Sequence, residues 1–159
     1  MKDIFNHPKV PEWMRTIQII CAALVIGVVM FMGVAFFVSS AERGWHTDML
    51  VLFMAATASC YLLSFVVPSI VLNSGKAKIE ACKTDEDALK ESFSIYQTSV
   101  IVGYALIEGA IFGNLVAFFV TGSLVSVAVA GVGLVLMIAR FPLPGRILFA
   151  VEELVALKK

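Results

Sequence analysis

The sequence predicts an all-α membrane protein with four transmembrane helices in two tandem helical hairpins, followed by a short amphipathic C-terminal helix. The first observation is composition, because 60% of the 159 residues are hydrophobic and only 15% are charged. With a mean hydropathy of +0.93, the chain lies far outside the range of water-soluble domains. Long apolar stretches and a repeated pattern are the other two observations. We expect one integral membrane domain over residues 1–159.

Four apolar stretches are long enough to cross a bilayer. A helix needs about 20 apolar residues to do so, because backbone polar groups in lipid must be bonded internally. The stretches cover residues 16–38, 48–72, 95–120 and 124–139. The last is close to the lower limit of about 17 residues. The first exceeds the apolar core of a cleaved signal peptide, so we expect an uncleaved anchor.

The basic residues predict the orientation of these spans. They gather before the first span, between the second and third, and after the fourth: Lys2, Lys9, Arg15; Lys76, Lys78, Lys83, Lys90; Arg140, Arg146, Lys158, Lys159. The other two connections contain only Arg43. By the positive-inside rule, both termini and a loop over residues 73–94 are cytosolic, and the protein resides in the cell (inner) membrane as a multi-pass protein.

Two segments outside the spans carry local signals. Thr84 followed by Asp87 is a capping-box pattern that starts a helix leading into the third span. The segment 140–146 has two prolines and a glycine, so it breaks the fourth helix. Apolar residues then recur at helical spacing over 147–159, which predicts an interfacial helix on the cytosolic membrane surface or against a partner helix.

The first and third spans share a pattern, which predicts an internal repeat. Both contain Ala-Leu, then Gly, then Val-Ala-Phe-Phe-Val in the same register: Ala23, Leu24, Gly27, Val34–Val38 and Ala105, Leu106, Gly109, Val116–Val120. We interpret this as two hairpins related by a pseudo-twofold axis along the membrane normal. Chance recurrence is the alternative, because membrane spans use few residue types. Where the first copy has Ile26, the second has Glu108.

Glu108 is the strongest candidate site because it is an acid near the middle of an apolar span. An ionised carboxylate at that depth costs at least about 2.5–3.5 kcal/mol, and no basic residue lies within any predicted span. We expect a buried Glu108 that is protonated or matched by a cation or a partner protein. Tyr104, one turn away, and Gln97, two turns further, complete a predicted ion- or proton-binding line.

A stripe of small residues lies beside Glu108 and predicts close helix packing. Its members recur at intervals of four: Ala105, Gly109, Gly113 and Ala117. A structural alternative remains open, in which protonated Glu108 donates to a neighbouring carbonyl or to Tyr104 and holds helices together by about 0.6–2 kcal/mol. Asn114 and Gln97 are predicted to act in the same way.

The run from Gly103 to Phe118 resembles the carboxylate-bearing helix of the proteolipid c subunits of rotary ATP synthases. Both have small residues, then Leu-x-Glu, then an apolar-aromatic stretch with Gly and Leu-Val. The resemblance covers about 20 residues. It implies that Glu108 binds the proton or sodium ion that the family moves, and vacuolar-type members of that family are duplicated hairpins of similar length.

The remaining patterns exclude several classes of function. Twelve basic and twelve acidic residues leave no footprint for nucleic-acid binding. No nucleophile and base, metal cluster or phosphate loop is visible, so we expect no enzyme activity, no cofactor and no metal. We expect a small multi-pass protein in the lipid bilayer that self-assembles or joins a larger membrane complex, with Glu108 as a protonatable site. The alternatives are a proton- or sodium-translocating subunit and a purely structural accessory subunit.

Overall fold

The computed structural model describes residues 8–38 and 47–156, with the side chains at 38 and 47–49 excepted. Five α-helices make up nearly all of this part of the chain. They are α1 (Val10–Val38), α2 (Thr47–Glu80), α3 (Asp85–Thr121), α4 (Leu124–Ala139) and α5 (Pro144–Ala156). No strand occurs within these ranges, so the all-α prediction is confirmed.

Three of the helices, α1, α2 and α3, are long and apolar enough to cross a membrane. With 16 residues, α4 is roughly 24 Å long at the α-helical rise, shorter than the hydrocarbon core of about 30 Å. α4 is long and apolar enough to span a membrane only if it is counted together with α5, and the two helices are bent by 69° relative to each other. By length and composition the chain therefore has three or four candidate spans.

The predicted cytosolic connection over residues 73–94 is largely helical, because α2 and α3 continue through most of it. Only residues 81–84 separate the two helices. The predicted helix start at Thr84 is confirmed: the Thr84 hydroxyl accepts a hydrogen bond from the Asp87 backbone N–H at 3.0 Å and donates to the Asp87 carboxylate at 2.6 Å. Hydropathy marks where apolar residues end, whereas a helix ends only where its backbone hydrogen bonds end.

α3 is the central helix, and each of the other four helices packs against it. α1 contributes a narrow seam whose successive buried residues are four or seven positions apart: Ile17, Cys21, Val28 and Ala35. The main contacts of α1 are with α3 and α4, and those of α2 are with α3 and α5. The two helices of the predicted first hairpin therefore have little contact with each other, and the tandem hairpins stay a prediction. The seam of α1 fits α3 instead.

The break after α4 is confirmed, and polar side chains satisfy its exposed carbonyls. The Arg146 guanidinium donates to the Ala139 carbonyl at 2.9 Å, and the Gln18 amide of α1 donates to the Pro142 carbonyl at 3.1 Å. Pro144 opens α5 at a position where a missing N–H costs nothing. The predicted C-terminal helix is thus present from residue 144 to 156, and residues 157–159 lie outside the described part.

The apolar side of α5 packs inside the chain. Ile147 and Val151 belong to the main core, and Leu154 joins a second cluster with Ile79 and Ala88 at the α2–α3 connection. The sequence predicted that this helix packs on the membrane surface or against a partner helix. In the structure its apolar side packs against helices of the same chain, mainly α3.

The exterior of the bundle is strongly apolar. Large side chains such as Phe37, Phe149 and Met30 are 94%, 71% and 68% exposed. Water-soluble monomers rarely expose contiguous apolar patches larger than a few hundred Å². An exterior of this kind suits hydrocarbon, in agreement with the length and hydropathy of the candidate spans.

Two glycines of α4 test whether this packing is tight. A Cβ added to Gly133 would lie 2.6 Å from Cγ1 of Ile111, whereas one added to Gly131 would meet nothing within 4 Å. We expect Gly133→Ala to lower the free energy of unfolding by about 1–3 kcal/mol. Gly131→Ala should leave it unchanged or raise it by up to about 1 kcal/mol. Equilibrium unfolding in detergent micelles measures both, and equal effects would contradict the packing.

Candidate functional site

Glu108 lies near the middle of α3, half-exposed at the surface of the bundle. Within the described residues its carboxyl makes no hydrogen bond or ion pair. The expectation that Glu108 is buried inside the protein therefore needs correction. Its depth along the apolar helix is as predicted, but it lies at the edge of the outward face of α3, where lipid or another protein would meet it.

The predicted polar line from Glu108 to Gln97 is not assembled. The Tyr104 side chain is buried, and its hydroxyl donates to the Met137 carbonyl of α4 at 2.8 Å. Gln97 is half-buried and lies roughly 16 Å from Glu108 along the axis of the helix. Tyr104 thus serves the α3–α4 contact, and Glu108 stands apart from both predicted partners.

The small-residue stripe is only partly an outward surface. Ala105 and Gly109 are exposed and Gly113 is half-exposed, and a Cβ added to either glycine would meet nothing within 4 Å. Ala117 is fully buried. Residues four apart drift by about 40° around a helix, so a stripe with this spacing turns from the exterior toward the core. The first three positions form an open small-residue surface beside Glu108.

Asn114 holds α3 to α2, which agrees with its predicted role as an interhelical contact. Its fully buried amide donates to the Thr57 hydroxyl at 2.5 Å and to the Ala110 carbonyl at 2.8 Å. The Thr57 hydroxyl in turn donates to the Phe53 carbonyl at 2.8 Å. The Asn114 carbonyl oxygen has no hydrogen-bond partner among the described atoms. The amide is therefore committed to packing.

A second polar site, which the sequence analysis did not single out, lies between α2 and α3. It is a cavity of about 310 Å³ lined partly by Ser64, Pro68, Ser99, Tyr104 and Arg140. Apolar side chains make up much of the remaining wall. Volumes of this order are typical of small ligand pockets.

Pro68 and Arg140 create this site together. Pro68 lies inside α2 and has no N–H, so the Ser64 carbonyl one turn earlier loses its helical hydrogen bond. The Arg140 guanidinium donates to that carbonyl at 3.1 Å and approaches the Ser64 hydroxyl at 3.4 Å. The same guanidinium lies 3.7 Å from the centre of the Phe65 ring, in a cation–π contact. The Arg140 guanidinium at the end of α4 is thus bound to residues of α2.

The α3 side of the cavity is shaped to accept the proline. A Cβ added to Gly103 would lie 3.2 Å from Cγ of Pro68, so only glycine permits this approach without displacement. The Ser99 hydroxyl donates to the Pro68 carbonyl at 3.1 Å. Two features of the sequence could have indicated this site: Pro68 lies within the second apolar stretch, and Arg140 directly follows the fourth. A proline in a membrane helix frees a carbonyl, and neighbouring groups usually supply the missing hydrogen bond.

The surface at Glu108 and the cavity at Arg140 are the two candidate sites among the described residues. No group of three His, Cys, Asp or Glu side chains comes together at metal-binding distance in the described ranges. Cys21, Cys60 and Cys82 are free thiols. What remains is a carboxyl on the outer face of α3 and a guanidinium in a partly apolar cavity.

Comparison with protein-family models, curated proteins and solved structures found no match to this chain. The resemblance of the third span to proteolipid c subunits therefore stays a prediction that rests on the residues of α3 alone.

The pairing of Arg140 with the carbonyl freed by Pro68 is open to a double-mutant cycle. Arg140→Gln should lower the free energy of unfolding by about 1–3 kcal/mol, because it leaves the Ser64 carbonyl without this donor. In a Pro68→Ala background residue 68 regains its N–H, so the same substitution should cost at least about 1 kcal/mol less. Unfolding of the four proteins in detergent measures the coupling.

The matched control for this cycle is Arg146→Gln, since Arg146 bonds to the Ala139 carbonyl and not to α2. It should show no coupling to Pro68→Ala. If Arg140→Gln costs the same in both backgrounds, Arg140 does not replace the hydrogen bond that Pro68 removes.

Proposed function

We propose that this chain is a multi-pass membrane protein that associates with a second copy, or with another membrane subunit, through the outward face of α3. The observation that carries the proposal is the open surface at Ala105 and Gly109, next to a Glu108 carboxyl without a partner in the described chain. The positive-inside rule supports cytosolic termini in a cell (inner) membrane.

The energetics of a carboxyl in hydrocarbon favour such an association. Facing lipid, Glu108 exposes a polar group to a medium that offers no hydrogen bonds. A neighbouring helix that brings a carbonyl or hydroxyl to this carboxyl removes part of that cost, and small residues let its backbone approach closely enough to do so. The proposal therefore places Ala105 and Gly109 at the contact and Glu108 at its edge.

An internal duplication of α1 and α3 is a further part of this proposal. Phe36 and Phe118 occupy equivalent positions in the two copies, and their ring centroids are 5.9 Å apart. A residue close to a twofold axis contacts its own equivalent, as this pair does. This contact supports a local pseudo-twofold relation between the two helices.

A second candidate function is the binding and movement of a proton or sodium ion by Glu108. The half-exposed position favours it, because a carboxyl without an internal hydrogen bond is free to exchange a proton with a group on another subunit. Tyr104 is engaged by α4, so any further oxygens around a sodium ion would come from a neighbouring chain. A purely structural accessory subunit is the third candidate, and it requires no titration of Glu108.

The association surface is tested by bulky substitution of its open glycines. We expect Gly109→Leu, alone or with Gly113→Leu, to separate the assembly, because the added side chain holds the neighbouring helix away. Gly131→Leu is the control, since Gly131 is an equally open glycine on α4. Light scattering of the detergent-solubilised protein and cross-linking in membranes report the size. An unchanged size for Gly109→Leu would contradict the proposed contact.

The role of Glu108 is tested by substitutions that separate hydrogen bonding from proton release. Glu108→Gln keeps the shape and the hydrogen bonds but cannot ionise, so association without titration predicts near-normal assembly. Proton or sodium binding predicts pH-dependent labelling of the wild type by a hydrophobic carbodiimide, suppressed by sodium if sodium is the ion. Glu108→Gln should abolish this labelling. Absence of labelling in the wild type at every pH would rule out the ion-binding function.

A further inference from the structure

We infer that the cavity between α2 and α3 is a binding site for a phosphate-bearing amphiphile, whose anionic group meets Arg140 and whose hydrocarbon lies on the apolar wall. The occupant to which the geometry points is an anionic phospholipid. This inference is independent of the proposed association through Glu108, because it concerns a different surface.

The first argument is charge. The Arg140 side chain is half-buried, and its fixed contacts are neutral: a carbonyl, a hydroxyl and an aromatic ring. No carboxylate pairs with it anywhere in the described ranges. Only Nη1 is engaged in hydrogen bonds, so Nε and Nη2 retain donors for an anion. A guanidinium presents such donors in a planar fork that matches two phosphate oxygens.

The second argument is the lining of the cavity. Phe65, Pro68, Leu72 and Val100 form an apolar wall beside the guanidinium. An inorganic phosphate would leave this wall without a partner, whereas an acyl chain or glycerol backbone covers it. The volume of about 310 Å³ is sufficient for a headgroup with the start of its chains and too small for a whole phospholipid. The rest of such a lipid would lie along the apolar exterior of α2.

The third argument is position along the chain. Arg140 ends the apolar run of α4, and Leu72 lies just before the polar end of α2, which begins at Asn73. The cavity therefore sits where an apolar segment meets a polar one, the level at which lipid headgroups are found. Basic pockets between helices at this level are a known way for membrane proteins to hold anionic headgroups.

The test uses the full chain in a mild nonionic detergent, titrated separately with phosphatidylglycerol, phosphatidylcholine and inorganic phosphate. Native mass spectrometry counts bound lipid, and the thermal unfolding midpoint reports stabilisation by whatever binds the folded state. We expect phosphatidylglycerol to bind and to raise the midpoint. Phosphatidylcholine carries the same phosphate, but its quaternary ammonium would lie close to the Arg140 charge and repel it, so it should bind at least about tenfold more weakly.

Three variants make the assignment specific. Arg140→Gln removes the charge and should weaken phosphatidylglycerol binding at least about tenfold. Ser69→Asp adds a carboxylate to the cavity lining and removes none of the groups that Arg140 contacts, so it should weaken binding to a similar extent even if Arg140→Gln unfolds. Arg146→Gln removes an exposed arginine that does not line the cavity, and binding should stay within about twofold of the wild type.

Three outcomes would overturn the inference. If inorganic phosphate binds as tightly as phosphatidylglycerol and depends on Arg140 in the same way, the occupant is a free anion and the apolar wall has no part in binding. If neither Arg140→Gln nor Ser69→Asp changes phosphatidylglycerol binding, or if Arg146→Gln weakens it equally, the cavity is not the site.

Discussion

The architecture depends on α3, which has one side buried against the other helices and one side exposed. Every other helix packs on α3, so one side of α3 forms the core and the remainder faces outward. Ile107, Ile111 and Leu115 lie on the inward side and are almost completely buried. Glu108 and Gly109 lie at the edge and on the outside of the same turns. This division, more than the composition of any single helix, assigns each polar residue of the third span either to packing or to an external surface.

Several polar side chains of the bundle donate to backbone carbonyls of other helices or of the break after α4. The carbonyl freed by Pro68 is met by Arg140, and the carbonyl of Pro142 in the break is met by Gln18. Tyr104 bonds to a carbonyl of α4 in the same way. These bonds join α1, α2, α3 and the end of α4, so the irregular points of the chain are also the points where its helices are connected.

Glu108 lies within the apolar part of α3 and Arg140 lies at the end of the apolar helix α4, and their surroundings differ. Glu108 has open space beside it and no partner in the described chain, so a neighbouring molecule would complete its environment. Arg140 is fixed by neutral contacts, retains donors without a hydrogen bond in the described chain, and lines a cavity with an apolar wall. The first arrangement suits contact with another helix, and the second suits the anionic headgroup of an amphiphile. Both sites are surrounded by the apolar outer surface of the bundle.

The sequence by itself determined the helical class, the candidate spans, the start of α3 at Thr84 and the break after Ala139. These features depend on hydropathy, capping and proline chemistry, which act over a few neighbouring residues. Only the tertiary structure decided that Glu108 lies at the edge of the outward face, that Ala117 is buried and that Arg140 at the end of α4 reaches Ser64 of α2. Helical spacing shows which residues share a face, but which face is buried depends on the packing of distant segments.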